Sequence, residues 1–315
     1  KMVYADHQAS TEAHMPVVKA WMDMITERSD GRITWEFYHA GTLVGPKQQL
    51  EEISRGTADI GQLAAHMQSS YFPINVATQK FFYGAPTTPA ICRIYDQLDK
   101  EFPAFHKEWA DVKTLIYRPM GNMDLQSTKA VRKLEDFKGL KVRVPGSWLK
   151  YTFTQLGASV VSMPPADLYI AMQKGIIDSD IHGLSYVLTY KTAELQPYTT
   201  ILDMYDGISS HLVMNWDSFY GLPADIQKVI DDSLPQFQAD FLATDDGIKA
   251  KGYDYVMSLG KEWIELPPED LASFYEIAAE EGLLAARAID AKGLPGTAML
   301  ERTRELIAEE AAKKK

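Results

Sequence analysis

The feature that most constrains this chain is an alternation. From the N-terminus to about Asn215, short β-branched or apolar runs are separated by longer stretches with helical spacing of apolar residues. A strand repeats every second residue and a helix every 3.6, so the alternation commits the chain to an α/β fold with largely parallel sheets. Strands are expected at Met2–Ala5, Ile33–Tyr38, Ala58–Gln62, Val112–Tyr117, Val142–Val144, Ser159–Ser162, Ile176–Ile181 and Leu212–Asn215. Helices are expected at Glu12–Ser29, Pro46–Ser54, Thr88–Trp109, Ser147–Leu156, Ala166–Lys174 and Ser185–Glu194. Beyond Pro223 the texture changes to a long helical pattern, Ala224–Lys251, interrupted only by Pro235. Trp263-Ile264-Glu265-Leu266 and two helical stretches, Pro268–Ala288 and Gly296–Ala312, complete the chain. Such a tail is suited to bracing two lobes already built.

An internal echo supports two similarly wound lobes. A helix followed by Arg55-Gly56-Thr57-Ala58-Asp59-Ile60 recurs as a helix followed by Lys174-Gly175-Ile176-Ile177-Asp178. In both, a basic residue meets the negative helix end, glycine caps it, and a short strand is entered beside an aspartate. The echo places the two lobes near residues 1–121 and 122–211.

Composition removes several classes. With 46% hydrophobic and 24% charged residues over 315 positions, the chain can bury two ordinary cores and is not a disordered one. No apolar run approaches the roughly 20 residues of a membrane-spanning helix. Lys1 to Ser10 hold neither an apolar h-region nor a cleavage site, so an exported protein would be represented here by its mature form, signal peptide removed. The net charge is −11 and the only cationic run is Lys313-Lys314-Lys315, which argues against nucleic acid as a partner. An anionic solute would need a local cation supplied by its own site. The single cysteine, Cys92, cannot form an internal disulfide and fits a small core position in a helix.

Catalytic signatures are missing. There is no Gly-x-Ser-x-Gly elbow, no phosphate loop, no Gly-x-Gly-x-x-Gly and no His-Glu-x-x-His. The seven histidines (7, 14, 39, 66, 106, 182, 211) are scattered singly and lack metal-ligand spacing. We therefore expect a non-enzyme with no cofactor and no metal. The richest segment is Lys138-Gly139-Leu140-Lys141-Val142-Arg143-Val144-Pro145-Gly146, in which Val142 and Val144 point one way and Lys141 and Arg143 the other. Arg143 then stands at a strand end, with a new helix expected to start just beyond it, and both features attract anions. Its planar fork can grip a carboxylate through two parallel bonds, which lysine cannot copy. From local pattern alone, a structural ion pair and an anion site are both open.

Over nearly its whole length the chain resembles the substrate-binding proteins of tripartite ATP-independent periplasmic (TRAP) transporters. The resemblance rests on ordered pieces: Trp21…Arg28-Ser29-Asp30-Gly31-Arg32-Ile33, Gly41-Thr42-Leu43-Val44-Gly45, Gly56-Thr57-Ala58-Asp59-Ile60, Tyr71-Phe72-Pro73, Asp136–Pro145, Leu156-Gly157-Ala158, Met163-Pro164, Leu168–Asp178 and Leu222–Gln227. It implies a two-lobed periplasmic-binding fold of the second type, spanned by a long helix and completed by C-terminal helices. Lobe I would take 1–121 plus about 212–250, and lobe II 122–211 plus about 251–315, with the ligand cleft between them.

The resemblance also implies a function: a periplasmic, monomeric protein that closes by a hinge on a small organic acid and hands it to the small and large integral membrane subunits of a permease. Arg143 matches the arginine that pairs with the ligand carboxylate. Further contacts carried over by position are Asp6, His7, His66, Phe82, Tyr83, Trp148, His182, Tyr186 and His211. Met123 stands where some relatives that bind carboxylated sugars have a second arginine. That departure, with Phe82-Tyr83-Gly84 in place of Leu-Pro-Phe, points to a monocarboxylate with an apolar or aromatic body. A zwitterionic or cationic solute facing Asp6 or Asp180 is the alternative, as is an extracytoplasmic sensor subunit.

Overall fold

The computed structural model describes residues 1–119, 121–163, 167–208 and 210–313. Ala166, where a helix was expected to begin, Pro164 of the Met163-Pro164 pair, and Lys314 and Lys315 lie outside the described residues. The strands are β1 (Met2–Ala5), β2 (Trp35–Tyr38), β3 (Ile60–Ala64), β4 (Val112–Arg118), β5 (Asn122–Ser127), β6 (Lys141–Arg143), β7 (Ser159–Val161), β8 (Ser179–His182), β9 (Tyr198–Tyr205), β10 (Ser210–Asn215) and β11 (Glu262–Glu265). The chain divides into two compact units. The first comprises Lys1–Val76, Tyr95–Pro119 and Ile208–Asp246, and the second Ala77–Ile94, Met120–Gly207 and Gly247–Lys315. The helix Ala224–Ser258 contributes residues to both.

The first unit is built on a five-stranded sheet in the order β2-β1-β3-β10-β4. On one face helix Met15–Arg28 and the first part of helix Ala224–Ser258 bury Trp21, Met22, Ile25, Ile230 and Phe237 with Tyr4 and Ile60. Trp21 stacks on Phe237 with ring centroids 4.7 Å apart, and its indole N–H donates to Ser233 Oγ at 2.9 Å. Fully burying side chains of this size stabilises by roughly 2–3 kcal/mol each. On the other face Ile53, Leu63, Phe72, Trp109 and Val213 form a second cluster.

The second unit carries a six-stranded sheet in the order β11-β9-β5-β8-β6-β7. Met123, Leu125, Val142 and Ile181 point to one face and pack with Phe137, Phe153 and Phe274. Lys80 and Glu281 approach to 3.4 Å, and Glu281 also accepts from Thr152 Oγ1 at 2.8 Å.

The two echoed motifs fold alike. Gly56 and Gly175 both take positive φ, +81° and +64°, ending a helix in the conformation glycine tolerates best. Each aspartate then caps the neighbouring parallel strand: Asp59 Oδ2 accepts from the Val3 amide at 2.6 Å, and Asp178 Oδ2 from the Lys141 amide at 3.1 Å.

Three expectations need correction. The sheets are mixed: β1–β2, β1–β3, β6–β7, β6–β8 and β9–β11 pair in parallel, but β10 runs antiparallel to β3 and β4, and β5 antiparallel to β8 and β9. The helix expected over Thr88–Trp109 is two, Thr88–Glu101 and Pro103–Lys107, because the residue before a proline is pushed out of the helical region and Phe102 sits at φ −119°, ψ 92°. The helix after Arg143 starts at Lys150 rather than Ser147, preceded by Leu149 with φ 57°. Trp148 is therefore in a turn, and the start of helix Lys150–Gln155 is set off from Arg143 by that turn.

Candidate functional site

The carboxyl ends of β6 and β8 and the amino end of the antiparallel β5 lie at one end of the second unit's sheet, the side of an α/β sheet where ligands bind. Arg143 is the last residue of β6 and pairs in register with Asp180 of β8, which in turn faces Gln126 of β5. Side chains alternate along a strand, so Arg143, Asp180, His182, Gln126 and Asp124 share one face. Arg143 is 4% exposed. Its Nε and Nη2 both donate to the Met163 carbonyl, at 3.2 and 3.1 Å, and it forms no ion pair among the described residues. Burial lowers the guanidinium from its ordinary value, and the charge of Asp180 opposes that shift. A buried guanidinium whose hydrogen bonds go to a neutral carbonyl keeps donors that a carboxylate could take.

Asp180 is fully buried and already engaged: its Oδ2 is 2.7 Å from His182 Nε2, and its Oδ1 accepts from Gln196 Nε2. His182 Nδ1 donates to the Gly183 carbonyl at 3.1 Å, and its ring stacks on Tyr186 with centroids 5.8 Å apart. Burial raises the Asp124 carboxyl, although its Oδ1 accepts the Leu202 and Asp203 amides, both at 2.9 Å. Those two bonds fasten the irregularity in β5–β9 pairing between Met123 and Leu125.

Of the residues singled out from sequence, Arg143, His182 and Tyr186 are thus brought together. Met123, Tyr83 and Trp148 form a separate group toward the opposite face. Met123 and Trp148 lie in the apolar cluster, and Tyr83 packs against it. The buried Tyr83 hydroxyl faces the Trp148 indole N–H, and burial pushes the hydroxyl well up. Phe82 is fully buried in the same unit.

Asp6, His7, His66 and His211 belong to the first unit. Asp6 follows β1; its Oδ2 accepts from the Tyr4 hydroxyl and its Oδ1 from the Gln8 amide, both at 2.7 Å. His7 lies 3.6 Å from Asp6, and Gln49 Nε2 donates to its Nδ1 at 2.6 Å. Burial lowers its imidazole below the usual value. His66 stands in the short turn Ala65–Gln68 after β3. His211, near the start of β10, stacks on Trp109 with ring centroids 3.6 Å apart; neither ring nitrogen has a hydrogen-bond partner. Burial pushes it down to about 3, so it is neutral. It lines a cavity of about 350 Å³ with Trp109, Tyr117 and Trp216, a different place from the Arg143 group.

Sequence reasoning missed a buried charge cluster in the first unit. Arg118 approaches Asp6 (4.0 Å) and Glu12 (3.3 Å), and His14 bridges Glu12 (2.8 Å) and Asp245 (3.2 Å). Burial alone would raise the Glu12 carboxyl, but the bond from His14 and the charge of Arg118 outweigh it and hold it at about 2. A depressed carboxyl contributes stability above its unfolded value of 4.5 that is lost as pH falls toward 2. The contribution is on the order of 3 kcal/mol. Glu12→Gln should therefore lower stability at pH 7 and flatten the acid limb between pH 4.5 and 2. Urea denaturation at stepped pH tests this, and parallel acid limbs in both proteins would contradict it.

The family model for bacterial extracellular solute-binding protein, family 7, matches residues 5–282. The chain is 23% identical over 265 residues to the 2,3-diketo-L-gulonate-binding periplasmic protein of Escherichia coli K12, covering 81% of this chain and 80% of that one. It is 24% identical over 267 residues to the sialic acid-binding periplasmic protein of Vibrio cholerae, covering 82% and 79%. A TRAP solute-binding protein from Rhodoferax ferrireducens T118, solved with copurified benzoate, superimposes with a TM-score of 0.86 at 24% identity, covering 100% of this chain and 99% of that one. A marine metagenome TRAP protein specific for aromatic acid ligands, solved with metahydroxyphenylacetate, gives 0.86 at 20% identity, covering 98% of each. These structural likenesses establish the fold, and the family match establishes the kinship. The chain belongs to family 7 of the bacterial extracellular solute-binding proteins.

Proposed function

We propose that this protein is a periplasmic receptor for a small organic acid with one carboxylate and an apolar or aromatic body, which it delivers to the membrane subunits of a TRAP permease after ligand-driven closure. The observation that carries this is Arg143, a guanidinium 4% exposed whose hydrogen bonds go to one neutral carbonyl. Relatives named for periplasmic binding of sugar acids and C4-dicarboxylates, and fold neighbours solved with benzoate or mandelate, support an acid. Met123 supports one carboxylate rather than two, because an apolar side chain buried in a core cluster stands where a second arginine would be. A cationic or zwitterionic solute is disfavoured because the Asp6 and Asp180 carboxylates already have partners.

A thermal-shift panel tests the reading. Benzoate, 3-hydroxybenzoate and mandelate at about 100 times Kd should each stabilise by about 2.7 kcal/mol. Hexuronates and C4-dicarboxylates should shift the midpoint less. A larger shift with the dicarboxylates would defeat the single-carboxylate part, and no shift with any acid would defeat the acid itself. Small-angle scattering with and without the best acid reads the closure.

A further inference from the structure

We propose that Gln196, at the end of the turn Thr192–Leu195, is a positioning residue for acid binding that tethers the Asp180 carboxylate and so keeps Arg143 open to the ligand. This rests on Arg143 being the acid anchor. The strands run in the order β5-β8-β6, and Gln126, Asp180 and Arg143 are register partners across them. Side chains of register partners share a face, so Asp180 has Arg143 on one side and Gln126 on the other. An aspartate in that place is the natural partner of a buried arginine. Yet Asp180 does not take the guanidinium, whose Nε and Nη2 donate to the Met163 carbonyl. Its Oδ1 accepts from Gln196 Nε2, and its Oδ2 stands 2.7 Å from His182 Nε2. The same Gln196 Nε2 also donates to the main-chain carbonyl of Gln126 at 3.1 Å. The tether is therefore fixed on the β5 side of Asp180 and draws the carboxylate away from β6.

Where that carboxylate points decides what the site can bind. Turned to Arg143, it would neutralise the guanidinium, and a ligand carboxylate entering there would be a desolvated anion without a cation of its own. Held by Gln196, it leaves the Nη1 end of the guanidinium to the ligand. Glutamine suits the task because its amide donates hydrogen bonds without bringing a charge that competes for the incoming acid. Gln196 and Asp180 are fully buried and Arg143 is 4% exposed, so solvent does not replace the bond when the amide is removed. The carboxylate is then driven to the cation on the neighbouring strand.

The experiment is a double-mutant cycle read by benzoate titration: wild type, Gln196→Met, Asp180→Asn and the two combined, with melting curves for each. Gln196→Met should bind about tenfold more weakly than wild type, because the freed carboxylate now competes with the ligand for Arg143. Asp180→Asn should bind at least as tightly as wild type, since the competitor is gone. The combined variant should bind like Asp180→Asn alone, so that the glutamine no longer matters once residue 180 carries no charge. A glutamine that merely supported the fold would weaken binding equally with either residue at 180. That additive result, or wild-type affinity in Gln196→Met, would overturn the proposal while leaving the Arg143 anchor intact. Should Gln196→Met fail to fold, Gln196→Asn keeps the amide but shortens its reach, and the same cycle should give the same pattern. If the wild type binds neither benzoate nor any acid of the panel, tether and anchor fall together.

Discussion

Arg143→Ala is expected to raise the Kd for the bound acid at least about a hundredfold, the result of removing one partner of a desolvated charge pair. The fold should survive it. Arg143 makes no ion pair among the described residues, and its hydrogen bonds reach a single carbonyl, so the variant deletes a buried cation whose burial is already unfavourable. Its melting midpoint without ligand should stay within a few degrees of wild type, but the ligand-induced shift should vanish. Arg143→Lys separates charge from geometry. It keeps a cation but loses the planar fork, so binding should remain at least about tenfold weaker than wild type. Isothermal titration with benzoate reads all three proteins. Undiminished affinity in Arg143→Ala would mean that the carboxylate is held elsewhere.

The place of Arg143 at a strand end was legible because its cues are local: a strand with valines on one face, a basic pair on the other, then Pro145-Gly146. The echoed Arg/Lys-Gly…Asp motifs were legible for the same reason, since helix cap, glycine and strand-capping aspartate fall within six residues. The strands β5 and β9 were not. Their buried positions hold Asp124, Gln126, Ser127, Thr199 and Thr200; the Asp124 carboxylate, the Gln126 side-chain carbonyl and the threonine hydroxyls are met by side-chain and backbone bonds rather than by solvent. A strand whose inward positions are polar lacks the alternation from which strands are read. These two strands also supply the antiparallel pairs, so missing them made the second sheet look parallel. Arg118 was invisible for another reason. It pairs with Glu12, 106 positions away, and no local spacing marks a charge whose partner arrives through the fold. Position alone likewise could not show that His211 lines an aromatic cavity of the first unit, whereas His182 stands beside Asp180 in the second.

The largest loss of stability is expected from Gly296→Ala. Gly296 opens helix Gly296–Ala312, and a Cβ there would lie 2.0 Å from the Ala286 carbonyl oxygen and 2.8 Å from Ile289 Cβ, both in helix Pro268–Asp290. The obstacle is helix backbone, which cannot turn aside as the end of a side chain could, so the helices must separate. Met299, Leu300 and Ala286, all at most 1% exposed, would lose contact as they do. Overpacking of this kind costs about 3 kcal/mol, against about 1 kcal/mol for a glycine that serves conformation alone. Gly175→Ala supplies that comparison. Its φ is +64° but nothing lies within 4 Å of the added atom, so only backbone strain opposes the alanine. Calorimetry should therefore rank wild type above Gly175→Ala and Gly175→Ala well above Gly296→Ala. Both variants should bind acid normally below their melting transitions, since neither residue adjoins Arg143 in the sheet or shares its hydrogen bonds. Equal losses from the two substitutions would show that the two helices can move apart at little cost and that close packing at Gly296 contributes little to the second unit.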